Sequence, residues 1–197
     1  MLLPRPTSDP RRLGREFFDR DVLVVARDLL GRELRTVTAD GAAAGRIVEA
    51  EAYRRDDSCS HSSRGRTART ATMFGPPGGV YVYFIYGMHH CMNLVCAGDG
   101  AAVLVRALEP TEGLELMRAR RGPKAPDARL CAGPGSLCRA LGIDRSWDGV
   151  DAAASERLLL RAGTPTPDAA VVSGPRVGVV GRPEDVALPW RWRERVR

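Results

Sequence analysis

The sequence predicts an α+β fold in which helices flank an antiparallel β-sheet within a single domain. Its 197 residues are enough for one domain with a sizeable core. Runs of strand-forming residues cluster in the middle of the chain, and the helical patterns lie mostly outside them. Two short turns, Asp40-Gly41 and Gly98-Asp99-Gly100, join neighbouring strands. These observations favour an antiparallel sheet over a doubly wound one.

The chain begins with a segment that we expect to be a loose arm. Residues 1–12 are polar and rich in proline and arginine, so we assign the folded domain to residues 13–197. The first helix of that domain follows Asp21, whose side chain can cap it, and runs to Leu30. Gly31 then ends the helix.

Strands and two further helices follow in alternation with turns. The predicted strands cover residues 33–38, 45–53, 80–86, 90–96, 101–108, 158–161, 170–173, 176–180 and 190–193. Pro110 is expected to begin a helix that ends at Arg121, and Gly133-Pro134-Gly135 to open a helix that ends at Leu141. Residues 54–72 are polar and without periodicity, which predicts a long loop of a kind that is often functional.

Charge and composition restrict the classes of function that the protein could have. The chain carries 30 Lys+Arg against 24 Asp+Glu, a formal charge of +6, which suits a polyanionic partner. Lys124 is the only lysine, so it and the chain terminus are the only amines that could form a Schiff base. No apolar run approaches the roughly 20 residues of a membrane span. Five cysteines without a secretory signal predict reduced thiols in a cytoplasm.

A carboxylate-bearing strand is the first candidate for chemistry. Alternation along a strand places Glu49, Glu51 and Tyr53 on one face. An edge strand with solvated glutamates explains this pattern. Partial burial, which raises the pKa of a carboxyl group, would instead suit a glutamate to general-base catalysis. From the residues alone both interpretations stand.

The tyrosines form the second candidate. The chain has four, of which Tyr81, Tyr83 and Tyr86 lie within six residues and Tyr53 follows Glu51. They could form a packed aromatic cluster, or a platform on which a planar ligand such as a base stacks. Metal is disfavoured, because the histidines and cysteines lack paired short-spaced ligands such as CxxC and the chain has no HExxH. Residues 60–70 are either a solvated loop or a source of phosphate contacts.

Taken in order, several motifs resemble one family. They are GRIVEAEAY at 45–53, HS at 61–62, MF at 73–74, YVYFIYGM at 81–88, CMN at 91–93, VLVRALEP at 103–110, and GP at 133–134 with Leu137. The chain is thereby similar, over nearly its whole length, to the alkyladenine DNA glycosylases, also called methylpurine or 3-methyladenine DNA glycosylases. The resemblance implies a single mixed domain with a curved antiparallel sheet, no metal or organic cofactor, and a monomer that acts on double-stranded DNA containing damaged purines.

The resemblance also assigns roles to individual residues. Glu51 matches the base that activates water, and Arg106 matches the arginine that helps to hold that water. Tyr86 matches the side chain that fills the gap left in the duplex. The residues that match the pocket for the flipped base are Tyr53, His61, Tyr83 and Asn93, of which Asn93 discourages guanine through its 2-amino group. His89 and His90 depart from the family, because aromatic residues are familiar at those positions.

The resulting hypothesis is a monofunctional DNA glycosylase of base excision repair. It would flip alkylated or deaminated purines out of duplex DNA, hydrolyse the N-glycosidic bond and leave an abasic site. Two alternatives remain: a non-catalytic nucleic-acid-binding protein with a structural Glu51, and another hydrolase that uses Glu49 and Glu51 as a carboxylate pair.

Overall fold

The computed structural model describes residues 9–195, and in this part of the chain eight strands form one sheet. The strands are β1 Glu33–Thr38, β2 Gly41–Tyr53, β3 Val80–Ile85, β4 His89–Val95, β5 Ala102–Glu112, β6 Leu158–Arg161, β7 Val171–Gly174 and β8 Arg191–Glu194. Six of them follow the order β3-β4-β5-β2-β1-β6, while β8 pairs with β2 and β7. Every pairing is antiparallel, which confirms the α+β fold with an antiparallel sheet.

The described residues form five helices, and the first four contribute to the core on one face of the sheet. The helices are α1 Arg15–Phe18, α2 Val22–Asp28, α3 Leu114–Arg121, α4 Pro134–Leu141 and α5 Pro183–Val186. The main core joins α2, α3 and α4 to the sheet through buried side chains such as Val25, Met117 and Leu137. A second buried cluster contains Tyr81 from β3 and Met73 from the preceding loop. Because Tyr81 lies between the core residues Val80 and Val82, this second cluster belongs to the opposite face.

Strand β2 is the centre of the architecture. Its first half pairs with β1, its second half pairs with β8 at Glu49–Glu51, and β5 runs along its other side. Register shifts between β2 and β5 leave Val48 and Arg106 without partners in the ladder. Such bulges bend a strand and re-aim the side chains beside them.

Most predicted elements are confirmed. Strands β1 and β6 have the predicted bounds, and the Asp21 side chain accepts a hydrogen bond from the Leu23 amide at the start of α2. Helix α4 begins with Pro134 at its first position and ends before Gly142, whose φ of +70° suits glycine.

Two predictions were wrong. Pro110 does not begin a helix: it lies in β5 opposite Gly45, and α3 starts only after Gly113, whose left-handed φ of +74° turns the chain. Residues 176–180 do not form a strand, because the Val177 amide donates to a carboxylate instead of a neighbouring strand. The short helices α1 and α5 were not predicted at all.

The start of the chain is only partly described. Residues 1–8 of the predicted arm lie outside the described residues. Within the arm's remainder, Arg12 forms an isolated bridge with Arg161, and the Arg11 carbonyl accepts a hydrogen bond from Ala162. Among the described residues, no helix has both the length and the apolar character needed to cross a membrane.

Candidate active site

One row of residues crosses four strands on the face opposite the main core. Glu51 on β2 pairs with Leu104 on β5, Leu104 pairs with Asn93 on β4, and Asn93 pairs with Tyr81 on β3. Since partners in an antiparallel ladder point to the same face, this register brings distant parts of the sequence together. The predicted site residues Glu51 and Asn93 are therefore joined by the sheet itself.

The Glu51 side chain is completely buried in the middle of the sheet. Its Oε1 accepts a hydrogen bond from the Val177 amide at 2.8 Å. Its Oε2 accepts from the Tyr53 hydroxyl at 2.8 Å and from Arg106 Nη1 at 3.2 Å. An edge strand with solvated glutamates is therefore wrong for this residue, because β2 has partners on both sides.

Arg106 reaches both glutamates from a bulge. It is the unpaired residue between Val105, opposite Ala50, and Ala107, opposite Glu49. Its Nε donates to Glu49 Oε1 at 3.2 Å, while its Nη1 donates to Glu51. Arg191 of β8 also approaches Glu49, with 3.4 Å between Nη1 and Oε1. The two carboxylates thus share Arg106, and Glu49 has a second cation.

A cavity of about 720 Å³ opens beside this row. Its volume lies in the range of small-molecule sites. The predicted pocket residues Tyr53, His61, Tyr83 and Asn93 all line it, together with Arg106. Glu51 is not among the lining residues, and it lies behind Tyr53 and Arg106, to which it is hydrogen-bonded.

The aromatic wall of the cavity is made by His61, Tyr81 and Tyr83. The His61 and Tyr83 rings meet edge to face, with centroids 4.5 Å apart, and the Tyr81 and Tyr83 centroids are 5.7 Å apart. His61 Nδ1 lies 3.1 Å from the Tyr81 hydroxyl. Asn93 is fixed by a 3.1 Å hydrogen bond from its Nδ2 to the Tyr81 carbonyl. The wall is therefore held in place by polar contacts as well as by packing.

Burial is the main influence on the protonation states of the side chains that line the cavity. It raises the pKa of the Tyr53 hydroxyl far above its ordinary value, with the neighbouring Glu51 carboxylate as the next cause. It raises the pKa of Tyr83 as well. Burial and then the nearby Arg69 guanidinium lower the pKa of His61. Both tyrosines therefore stay protonated, and His61 is neutral at neutral pH.

The hairpin between β3 and β4 carries exposed apolar side chains at the edge of the cavity. Tyr86 is 77% exposed and Met88 69% exposed, although both are large and apolar. Tyr86 has φ of +54° and Gly87 of +67°, so the turn holds Tyr86 in a left-handed conformation that side chains rarely adopt. Tyr86 and His89 also line the cavity, whereas His90 packs against Phe84.

Basic and polar groups surround the cavity mouth. Arg64 and Arg69 of the 54–72 loop line it, and both are exposed. The N-terminal end of α4 reaches it through Gly133 and Pro134. In the described part of the chain, no group of three or more His, Cys, Asp or Glu side chains is placed to hold a metal ion. The five cysteines are free thiols.

Sequence reasoning missed the segment that completes the carboxylate site. Val177 supplies the amide donor to Glu51, and the preceding Arg176 forms an ion pair with Asp57 in which both side chains are fully buried. Nothing in the local pattern distinguishes Arg176 from the chain's other arginines, and residues 176–180 were predicted as a strand. Only the tertiary structure shows that this segment contacts β2.

The chain is similar to known proteins over nearly its whole length. The family model described as Methylpurine-DNA glycosylase (MPG) matches residues 16–196. A protein of Streptomyces avermitilis is 53% identical over 196 residues, which cover 97% of this chain and 90% of the relative. A relative from Burkholderia lata is 50% identical, with 96% and 90% covered, and one from Methanocella arvoryzae is 46% identical, with 93% and 92% covered. All three bear the name "Putative 3-methyladenine DNA glycosylase".

Proposed function

Since the chain belongs to the methylpurine-DNA glycosylase family, and is thus a DNA glycosylase that hydrolyses N-glycosyl bonds, we propose that it flips damaged purines out of duplex DNA and releases them with a water that Glu51 activates. The substrates are alkylated purines, with deaminated purines as a second class. The observation that carries this proposal is the buried Glu51 carboxylate beside an aromatic-lined cavity of base-binding size.

Entry of the base depends on the β3–β4 hairpin. A glycosidic bond is hidden inside a duplex, so the nucleotide must leave the stack at a cost of a few kcal/mol. Tyr86 is exposed at the hairpin tip, where its ring can enter the duplex and fill the vacated place. Arg64 and Arg69 at the cavity mouth offer contacts to the phosphates on either side.

The cavity holds the flipped base by stacking and exclusion. Tyr53, His61 and Tyr83 all line the cavity, so a planar purine can lie against aromatic rings. Asn93 cannot turn away without losing its hydrogen bond to the Tyr81 carbonyl. A side chain fixed in this way opposes a 2-amino group, which discourages normal guanine.

The chemistry follows from a hydrogen-bond acceptor site on Glu51 that remains open to a water. An ionised carboxylate has about four lone-pair sites, and three of them are taken by Tyr53, Arg106 and Val177. The remaining site is on Oε1, beside the Val177 amide, and there a water can donate its proton. As the water oxygen bonds to C1′, the glycosidic electrons leave with the base and the proton passes to Glu51. Arg106 supports the ionised carboxylate from the other oxygen.

We propose a monofunctional reaction that leaves an intact abasic strand. A lyase step needs an amine that forms a Schiff base with the sugar aldehyde. Lys124, the only lysine in the chain, is exposed in the loop after α3 and does not line the cavity. Water activated by Glu51 is therefore the nucleophile that the site supports. The protein would act as a monomer, in a reducing cytoplasm that suits its free thiols.

The decisive experiment uses duplexes that each carry one lesion: 7-methylguanine, 3-methyladenine, hypoxanthine or ethenoadenine. The protein is incubated with each duplex in the presence of a metal chelator, and free base and strand breaks are measured. We expect released base and strands that break only after alkali. Tight binding of the lesion duplex without base release would favour a non-catalytic binding protein. Hydrolysis of a different substrate, which the lesion duplex does not inhibit, would favour an unrelated hydrolase.

A further inference from the structure

A buried guanidinium lies behind the Tyr53 ring. The Arg176 guanidinium carbon is 4.8 Å from the centroid of the Tyr53 ring and 5.3 Å from that of Trp190. Tyr53 lines the cavity and Arg176 does not, so the cation occupies the side of the ring that faces away from a bound base. Arg176 is therefore placed to act on the base only through Tyr53.

Four hydrogen bonds through the two terminal nitrogens hold this cation in position. Its Nη1 donates to the Ala52 carbonyl at 3.1 Å, and its Nη2 donates to the Asp185 carbonyl at 3.0 Å. Both terminal nitrogens also bind Asp57, with 3.1 Å between Nη2 and Oδ1. These bonds use the N–H groups at the edge of the planar guanidinium, whereas its central carbon lies over the Tyr53 and Trp190 rings. The carboxylate therefore does not stand between the positive charge and Tyr53.

We propose that Arg176 determines lesion specificity, by lowering the preference of the pocket for cationic purines relative to neutral ones. An aromatic ring attracts a cation through the negative potential of its faces. A cation already held on one face draws the π electrons toward itself and repels a second cation on the other face. A 7-alkylated purine is cationic while attached to the sugar, and hypoxanthine is neutral, so only the cationic base meets this repulsion. The inference rests on the proposed function.

The effect of changing Arg176 on the excision rates differs from the effect of changing a residue with only a structural role. A residue that merely holds Tyr53 in place would affect every lesion alike when it is changed. A charge behind the ring changes the rate of the cationic lesion relative to that of the neutral one. The ratio of the two excision rates therefore separates the two roles.

The test compares single-turnover excision of 7-methylguanine and hypoxanthine in one duplex context. The double variant Asp57→Asn/Arg176→Gln removes both buried charges together, because removing one alone would leave the other without its partner. We expect the ratio of 7-methylguanine to hypoxanthine rates to rise about 2- to 30-fold, which corresponds to a cation–π attraction of ~0.5–2 kcal/mol. 7-Methylguanine has a 2-amino group and hypoxanthine lacks it, but this difference is the same for the wild type and the variant and therefore cancels in the change of the ratio.

Two single variants keep the proposal testable if the double variant does not fold. Arg176→Lys retains the positive charge and should leave the ratio within about twofold of the wild type, since charge rather than shape sets it. Asp57→Asn leaves the guanidinium without its counter-charge and should lower the ratio. Parallel losses on both lesions with an unchanged ratio would overturn the inference. Absence of base release from either lesion by the wild type would overturn the proposed function instead.

Discussion

Replacing Glu51 by glutamine tests the centre of the proposed mechanism with the least change of shape. The amide has one acceptor and one donor end, whereas the carboxylate accepts from three donors. With its oxygen on the Val177 amide, the glutamine NH₂ faces the Tyr53 hydroxyl, which can turn to accept. Arg106 Nη1 then loses its acceptor, although its Nε keeps the bond to Glu49. The variant therefore loses one charge-assisted hydrogen bond and retains the rest of the site.

The two costs of this change differ in size. Loss of one hydrogen bond to a charged group costs about 1.5–3 kcal/mol of folding stability. Loss of the general base should slow the chemical step by about 10²- to 10⁴-fold. That corresponds to about 3–5 kcal/mol of barrier, at 1.36 kcal/mol per decade. Lesion binding should be preserved, because the wall residues Tyr83 and Asn93 are unchanged.

The assay is single-turnover release of hypoxanthine or 7-methylguanine with enzyme in excess, alongside lesion-duplex binding and thermal unfolding. Glu33→Gln is the matched control. It also replaces a glutamate that pairs with an arginine, Arg161, but Glu33 does not line the cavity. The control should lose stability and keep its rate. A folded Glu51→Gln variant that releases base within about threefold of the wild-type rate would refute the assignment of Glu51 as the base.

Other perturbations test other parts of the site. Tyr86→Ser should weaken base flipping, seen by base-analogue fluorescence, because serine cannot fill the vacated stack; Val24→Ser, which also puts serine in place of an exposed apolar side chain, in α2, should not. Borohydride should trap no covalent adduct with lesion DNA, whereas an adduct that Lys124→Ala abolishes would contradict a water nucleophile. Arg69→Gln should raise the pKa of His61 in an NMR titration, because the Arg69 guanidinium adds to the lowering of this pKa that burial mainly causes. A lowered pKa means that the unfolded state binds the proton more readily, so the contribution of His61 to stability is full above its unfolded pKa of about 6.5 and is lost as pH falls through the folded pKa. Affinity for DNA should fall with salt on a logarithmic plot, and a flat plot between about 50 and 200 mM would argue against phosphate contacts.

Local patterns predicted the side chains of β2 but not their surroundings. Alternation correctly indicated that Glu51 and Tyr53 share a face, and the structure joins them by a hydrogen bond. The same pattern also fitted an edge strand, which is wrong, because β8 covers that side of β2. β8 lies about 140 residues further along the chain, and its pairing depends on contacts that no local window contains.

The bulges were equally invisible in the sequence. Arg106 sits in a strand that alternation predicts as regular, yet the register shift beside it aims its guanidinium at two carboxylates. The helix expected at Pro110 fails for a related reason. Proline suits the first turn of a helix and also tolerates a strand position that needs no amide donor, and opposite Gly45 the second environment prevails.

The sequence singles out Glu51 as a candidate more readily than it reveals the donors that permit its burial. Glu51 has no exposed surface, and a lone charge there would cost several kcal/mol. Its three donors come from the same strand, from a bulge in the neighbouring strand, and from the backbone of Val177 far along the chain. A backbone amide has no sequence signature, so the third donor could not have been found by its residue type. The arginine before it, however, is anchored to Asp57 and to the Ala52 carbonyl between Glu51 and Tyr53. Arg176 thus positions both the Val177 amide and the Tyr53 ring, so a change at Arg176 should affect the general base Glu51 and the pocket together. Such a loss of positioning slows excision of every lesion, whereas loss of the Arg176 charge acts differently on cationic and neutral lesions. Comparing the two kinds of lesion therefore separates the two effects.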